Sequence, residues 1–480
     1  MKEKYYPWML LSVTSLGVLL STLNLSTLNV ALPEVATHFH ANELASNWIL
    51  LSYMLVNTIF ILVFGKIADI FGRRGMYLIG LLEFTIVSFL CGIAPNVWVL
   101  IVLRALQALG GALIITNTTP LITDAFPAKK LGTGLSINVL VASMSQLIGP
   151  VVGGFLVSHF GWRWVFWFNV PVGIIGFIWG MFTLRAVPGE AKGEKVDWTG
   201  NVITFLGLGG LILAMSEGGT AGWGSLPVII GLILFVVLAF IFFVVEKHTR
   251  FPMIDFTLFY DRPYAMANLA TFFNSLARSS VMLLIALFYQ VVDSEDPFIA
   301  GLKVLPITIG MMIGSLIVGA LTVKYSARLL STAGLFGTCI GMLLLTWKIG
   351  DQDSLIWIMV GQLLIGIGTG VFQTPNTQSI MLTVPHERRG LANGIRSMLQ
   401  NMGAVISTAL SLMIVTSLLP PHLKSALYAG AGAHISAGDT HLIVIGYRTA
   451  FLVMLFLTLL AIAVSFLRNT KKEKLVKHPV

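Results

Sequence analysis

The sequence predicts an all-α polytopic membrane protein of about fourteen helices: two six-helix halves with two further spans between them. Three observations carry this. The 480 residues are 56% hydrophobic and only 11% charged, with a mean hydropathy of +0.87, a balance no soluble domain of this size keeps. Apolar runs of about 20 residues, the length that crosses a bilayer, recur along the chain. The chain also repeats itself. Gly65–Arg74 returns as Gly319–Arg328, and Gln107, Gly111 and Pro120 return as Gln362, Gly366 and Pro375. Parallel repeats of six spans are a transporter architecture.

In order, the expected spans are Trp8–Leu32, Ser46–Phe64, Gly75–Ile93, Val97–Leu121, Gly132–Val157, Val165–Leu184 and Gly200–Met215. They continue with Leu226–Val245, Tyr264–Val292, Ala300–Val323, Leu329–Trp347, Leu355–Asn376, Gly390–Leu418 and His441–Leu467. Met1–Pro7 has no small-residue cleavage site after it, so the first span reads as retained. An even number of spans puts both termini on one side. Alternate loops on that side collect 22 basic residues, among them Lys66, Arg73, Arg74, Lys129, Lys130, Lys324, Arg388 and Arg389. The other side has five: Arg163, Lys303, Lys348, Lys424 and Arg448. The positive-inside rule then predicts cytoplasmic termini and a location in the cell membrane. The domains follow as 1–190, 191–263 and 264–480. The two spans of the middle segment carry no ionisable residue in their interiors and read as peripheral to transport.

The net charge of +9 lies in short loops rather than on one face, so no nucleic acid is expected. Cys91 and Cys339 both fall inside apolar runs. They make neither a disulfide framework nor a metal site. No phosphate-cradling loop and no catalytic constellation is present, so neither an enzyme nor a cofactor is expected.

The most informative stretch is Ser145–Gly173. Ser145, Gly149 and Gly153 share one helix face, where another helix can come close. Pro150 predicts a bend near Gln146. Gly154 completes GPxxGG, and WRWxFxxNVPxG follows from Trp162 to Gly173. This pattern resembles the fifth-span antiporter motif and following loop of the major facilitator superfamily, most closely its 14-span drug:proton antiporters. Ser145 stands where that family usually has glycine. The resemblance implies the major facilitator fold and proton-driven efflux.

The loop after the second span matches the same family's GxxxDxxGRR at Gly65, Asp69, Gly72, Arg73 and Arg74. The glycines allow a tight turn against other helices. Asp69 can pair with Arg73 at i, i+4 or with a helix N-terminus. Such a latch favours one state of an alternating-access cycle. The alternative is plain positive-inside topology. In the second copy Val323 replaces the acid and Ser326 the glycine, so the latch belongs to the first half.

In the fourth span, Arg104, Gln107 and Gly111 share a face, and a buried arginine needs a partner or a water-filled cavity. The family links this arginine to proton movement; Ala108 replaces its usual glycine. The first span reads LNLSTLNVALP, Leu23–Pro33, with Asn24 where the family has an acid. Asparagine carries no proton, so Glu83 is the candidate in its place. It lies nine residues past Arg74, about 13 Å along a helix. Proton coupling is therefore assigned to Glu83 and Arg104. The alternative is a structural Glu83–Arg104 pair.

A substrate cavity near the midplane is expected from Asn24, Asn29, Asn57, Phe273, Arg278, Gln373 and Asn376, chosen by depth and span order. Pro375 is expected to break its span. Arg396 reads as a structural arginine, and Arg278 as facing the cavity. A cavity with Arg278 and without an acid at Asn24 suits zwitterions, anions or amphiphiles. The function expected is proton-coupled efflux of drugs or amphiphilic toxic compounds. Two alternatives are an exporter of lipid or of an anionic or zwitterionic metabolite, and a transport-poor membrane sensor. Partners are the small-molecule substrate, protons and membrane lipid, and the chain is expected to be a monomer.

Overall fold

A computed structural model describes residues 3–41, 43–185, 189, 197–220, 222–249, 252, 254, 256–293, 295, 297–351, 355–417, 419–420 and 437–468. Among them, 14 helical segments are long and apolar enough to cross a membrane. Lys2, Glu190, Lys192, Lys195, Arg250, Asp296, Lys424 and the basic run from Lys471 to Lys477 lie outside the described residues.

The first six spans begin and end where backbone chemistry requires. The helices are α1 (Tyr6–His38), α2 (Glu43–Phe71), α3 (Arg73–Gly92), α4 (Val97–Ala125) and α5 (Ala128–Phe160). A short α6 (Trp164–Trp167) leads into α7 (Asn169–Thr183). The turn from α2 to α3 is made by Gly72 at φ 101°, a left-handed conformation that glycine adopts without strain. Asn96 caps α4 by accepting a hydrogen bond from the Val99 amide at 2.9 Å. Gly161, at φ 85°, ends α5.

The two extra spans are α8 (Trp198–Thr220) and α9 (Leu226–His248). They cross where Gly210 meets Gly231: a Cβ on Gly231 would lie 2.6 Å from the Gly210 carbonyl oxygen. The second six spans comprise α10 (Arg262–Arg278), α11 (Val281–Val291), α12 (Pro297–Lys303), α13 (Leu305–Leu321), α14 (Ala327–Lys348), α15 (Leu355–Thr383), α16 (Arg389–Ser417) and α17 (Ala437–Phe466).

Three expectations need correction. Span ends lie further out than hydropathy placed them, with α1 running to His38, α4 to Ala125 and α15 to Thr383. Pro375 does not break its helix; α15 passes through it. One missing donor costs less than exposing a whole turn of backbone to hydrocarbon. The ninth span, expected to be continuous, is interrupted at Ser279–Ser280. The Ser280 amide donates to Ser407 Oγ at 3.2 Å. The Ser280 hydroxyl shares hydrogen bonds with Ser407 Oγ (2.9 Å) and Ser411 Oγ (2.7 Å). Those hydroxyls take the place of a helical partner.

By contacts the chain forms two compact units. The first takes Met1–Phe205, Phe243–Phe256 and Ile380–Met398. Its cores gather Leu10, Tyr77, Leu81, Phe84 and Ile114 in one cluster and Leu28, Ile49, Leu100, Trp162 and Phe166 in another. The second takes Leu206–Phe242, Thr257–Ser379 and Leu399–Val480. Its main core includes Leu284, Phe288, Met342, Ile365, Tyr447 and Phe451.

Candidate functional site

Two polar networks lie in the first unit. The first is at the turn between α2 and α3. Asp69 is buried, and its carboxylate has partners on three sides. Oδ1 accepts from Arg73 Nη2 at 2.9 Å and from the Gly390 amide at 3.0 Å. Oδ2 accepts from the Leu391 amide at 2.8 Å. Both partners expected of Asp69 are thus present, the i+4 arginine and a helix N-terminus, here that of α16. Arg73 also donates to Asp124 and to the His386 carbonyl. Asp124 in turn accepts from Arg389 Nη1 at 2.6 Å and faces His386 Nε2 at 3.0 Å.

The two glycines matter differently. Gly72 supplies the turn. Gly65 lets α2 cross α16 backbone to backbone, since a Cβ there would lie 2.5 Å from the Gly390 carbonyl oxygen. Arg74 turns away from this network and donates to the Met181 carbonyl at 3.0 Å. Asp124, His386 and Arg389 were not recognised from the sequence. The available signal was an acid at the inner end of a span, where cations are the rule.

Deeper in the same unit, Arg104 is fully buried. Its guanidinium donates to Asn24 Oδ1 at 2.6 Å, to Gln107 Oε1 and to the Ile49 carbonyl at 3.3 Å. It also lies 4.4 Å from the centre of the Tyr53 ring, a cation–π distance. Gln107 passes the chain on to Ser88 Oγ at 2.7 Å. Glu83 is half-buried and packs against Gly110. Its Oε2 is sealed from solvent with no hydrogen-bond partner. Among the described residues no ion pair joins Glu83 to Arg104.

Of the other residues singled out, Asn57 is buried and its amide lies 3.4 Å from the Ala108 carbonyl. Asn29 is exposed on α1. The small-residue face of α5 meets α1. A Cβ on Gly149 would overlap Ser26, and one on Gly153 would lie 2.7 Å from the Thr27 carbonyl oxygen. Ser26 Oγ donates to the Gln146 carbonyl at 3.1 Å. Ser145 is buried and Gly154 faces Val30. Pro150 sits inside the unbroken α5. Gly153→Leu should therefore drive α1 and α5 apart. The expected result is a loss of about 1–3 kcal/mol or more, read as a fall of the thermal midpoint in detergent. An unchanged midpoint would show that the crossing is not tight.

In the second unit, Asn376 is buried with its polar atoms engaged. Its amide donates to the Ala267 carbonyl (3.1 Å) and Thr271 Oγ1 (2.8 Å), and its oxygen accepts from Arg468 at 3.3 Å. Gln373, Phe273 and Arg278 are partly exposed. Arg396, in the first unit, donates to Asn393 Oδ1 at 3.1 Å and Ser397 Oγ at 3.2 Å. Nothing in these networks resembles an active site for covalent chemistry, and no group of three or more metal-ligating side chains occurs among the described residues.

Three comparisons bear on this geometry. The family model described as Major Facilitator Superfamily matches residues 14–200 and 267–480, leaving out most of α8 and α9. Multidrug resistance protein Stp of Mycobacterium tuberculosis (strain CDC 1551 / Oshkosh) is 33% identical over 432 residues, 89% of this chain and 80% of that protein. Riboflavin transporter RibZ of Clostridioides difficile (strain 630) is 31% identical over 415 residues, 85% of this chain and 88% of that protein. Among solved structures, the proton:xylose symporter XylE superposes with a TM-score of 0.66 at 15% identity, over 96% of this chain and 95% of that one. With fourteen spans, a transporter rather than an enzyme, the chain belongs to the major facilitator superfamily.

Proposed function

We propose that this protein exports amphiphilic toxic compounds across the cell membrane by alternating access, driven by proton entry. The observation that carries this reading is the Asp69 latch. A buried carboxylate shared between an arginine and the amides that open another helix is strong while formed, yet it breaks as a unit when those helices separate. Such a contact suits a protein that cycles between states. A sensor needs no such contact, which favours transport over that alternative. The name multidrug resistance protein on a relative at 33% identity supports the substrate class. For coupling, Asn24 supplies Arg104 with an amide oxygen but no titratable group, which leaves Glu83 as the acid.

A second reading is export of a metabolite, favoured by the relative named riboflavin transporter. One experiment separates the two: a susceptibility panel in a pump-deficient host, together with uptake into proteoliposomes of ethidium, fluorescein and riboflavin under an imposed pH gradient. Export predicts raised resistance and gradient-dependent accumulation of ethidium or fluorescein. Accumulation of riboflavin alone would favour the metabolite reading, and no accumulation of any of the three would defeat both.

The orientation has its own test. In a background lacking Cys91 and Cys339, Glu190→Cys should react with a membrane-impermeant maleimide only from the cytoplasmic side. Asp439→Cys should react only from outside. Labelling of both from outside whole cells would overturn cytoplasmic termini.

A further inference from the structure

Arg104, Arg278 and Arg396 each lie inside a span, away from its ends. Arg104 and Arg396 make the hydrogen bonds described above, although Arg104 Nη2 is buried without a partner. Arg278 makes none. Among the described residues it makes no hydrogen bond, ion pair or ring contact, and its Nε is sealed from solvent without a partner. It is the last residue of α10, where an arginine normally binds the free carbonyls of the final turn, yet none accepts from it.

Its position is held firmly. On one side Ser275 Oγ donates to the Gln400 carbonyl at 2.6 Å. On the other Ser280 is tied to Ser407 and Ser411. Between these ties a Cβ on Gly403 would lie 2.9 Å from the Phe272 carbonyl oxygen, so α10 and α16 touch backbone to backbone. The break in the ninth span therefore presents Arg278 from a fixed point.

The face it occupies is the polar one. Asn274, one turn earlier, is 6% exposed, and its Oδ1 is also buried without a partner. Thr271 and Asn268 continue the stripe and are buried. Leu269, exposed to 38%, lies nine positions before Arg278, half a turn round the helix at about 100° per residue. Arg278 thus lies on the side of α10 opposite Leu269, in line with Asn274 and Thr271, and is partly exposed there. An arginine left unpaired in a membrane interior is costly. That cost is recovered when an anion enters, because the guanidinium fork matches an oxyanion in a two-point contact.

We propose that Arg278, with Asn274 beside it, forms an oxyanion-binding site in the second unit. It selects transported amphiphiles that carry a carboxylate, sulfonate or phosphate over purely cationic ones. This deepens the export reading and rests on it.

The test separates binding from flux. Purified protein in phosphatidylcholine nanodiscs is titrated with fluorescein, an amphiphilic dianion, and with ethidium, a cation, by fluorescence anisotropy. Arg278→Ala should weaken fluorescein about tenfold or more, the scale of losing a charged hydrogen-bonded contact, and leave ethidium unchanged. Arg278→Lys should retain part of the affinity, and Arg278→Glu should reverse the preference. Equal fluorescein affinity in wild-type protein and Arg278→Ala would overturn the site, as would absence of fluorescein binding to wild-type protein. If Arg278→Ala does not purify, Arg278→Gln takes its place with the same expectation. Replacing one fifth of the lipid by phosphatidylglycerol distinguishes sources. Unchanged fluorescein binding supports a soluble anion, and its displacement would assign the site to lipid phosphate and overturn the substrate claim. Flux of either dye in proteoliposomes with unaltered binding in Arg278→Ala defeats this inference alone. Binding without any flux defeats the export reading instead.

Discussion

Asp69→Asn should lower transport by at least about tenfold while leaving substrate affinity within about twofold of wild type. The carboxylate is buried and joined to Arg73 and to the amides of Gly390 and Leu391. An asparagine of the same shape keeps one oxygen as acceptor, so one amide bond is retained. It loses the charge, and its amide group presents N–H to partners that are themselves donors. Removing one partner of a buried ion pair typically costs about 3–5 kcal/mol, because the other charge stays buried and uncompensated. Here Asp124 remains as a second carboxylate for Arg73, which places the cost at the lower end.

In the proposed alternating-access cycle the loss falls on one state only, the state in which the latch is formed. The equilibrium between states therefore shifts, and turnover falls with it. Among the described residues none of those proposed for the substrate cavity hydrogen-bonds to Asp69, so on the proposed reading binding measured at equilibrium should change little. The measurements are uptake into proteoliposomes and dye binding in nanodiscs on the same preparation. A fall in binding equal to the fall in transport would contradict the latch.

The latch also shows how much a sequence can tell. Asp69 was legible because its partners are local rules: an arginine four residues on and the general attraction of a carboxylate for a helix start. The small-residue face of α5 was legible for the same reason, since Gly149 and Gly153 recur at helical spacing and only a close neighbour explains them. Asp124 was not, because its partners lie 51 and 265 positions away and a single acid has no period. The break in the ninth span was hidden for a similar reason. Ser279 and Ser280 are ordinary helix residues, and what interrupts the helix is a pair of hydroxyls on α16, 127 and 131 residues later. Hydropathy located the apolar lengths but ended them early, because Thr, Asn and Pro lower the average while the helix continues. Depth alone also mixed kinds of residue in the substrate set. Asn24 Oδ1 accepts from Arg104 and Asn376 bonds to Ala267, Thr271 and Arg468, whereas Arg278 makes no hydrogen bond among the described residues.

Glu83→Gln should abolish accumulation against a gradient while preserving binding and exchange. Proton-driven export needs a group that gains and loses a proton within the cycle. In the first unit the buried polar residues around Arg104 are Asn24, Gln107, Ser88 and Tyr53, and none of them is an acid. Glu83 is the carboxylate in the span next to them. A structural ion pair would have bound it to Arg104, but Arg104 instead uses amide oxygens and a backbone carbonyl. Glu83 Oε2 is left without a partner beside Gly110. An unpaired intramembrane carboxylate is costly as an anion and cheap when protonated, so its protonation is sensitive to any change in the surrounding helices. Glutamine keeps the size and hydrogen-bonding capacity and removes only the proton exchange. In proteoliposomes with an imposed pH gradient, accumulation by the variant should fall to that of protein-free vesicles. Counterflow exchange, which needs no net proton movement, should stay within about threefold. If Glu83→Gln still concentrates substrate, the coupling role is lost. If Glu83→Gln and Arg104→Ala both fail to fold, the two residues hold the first unit together and the proton travels by another route.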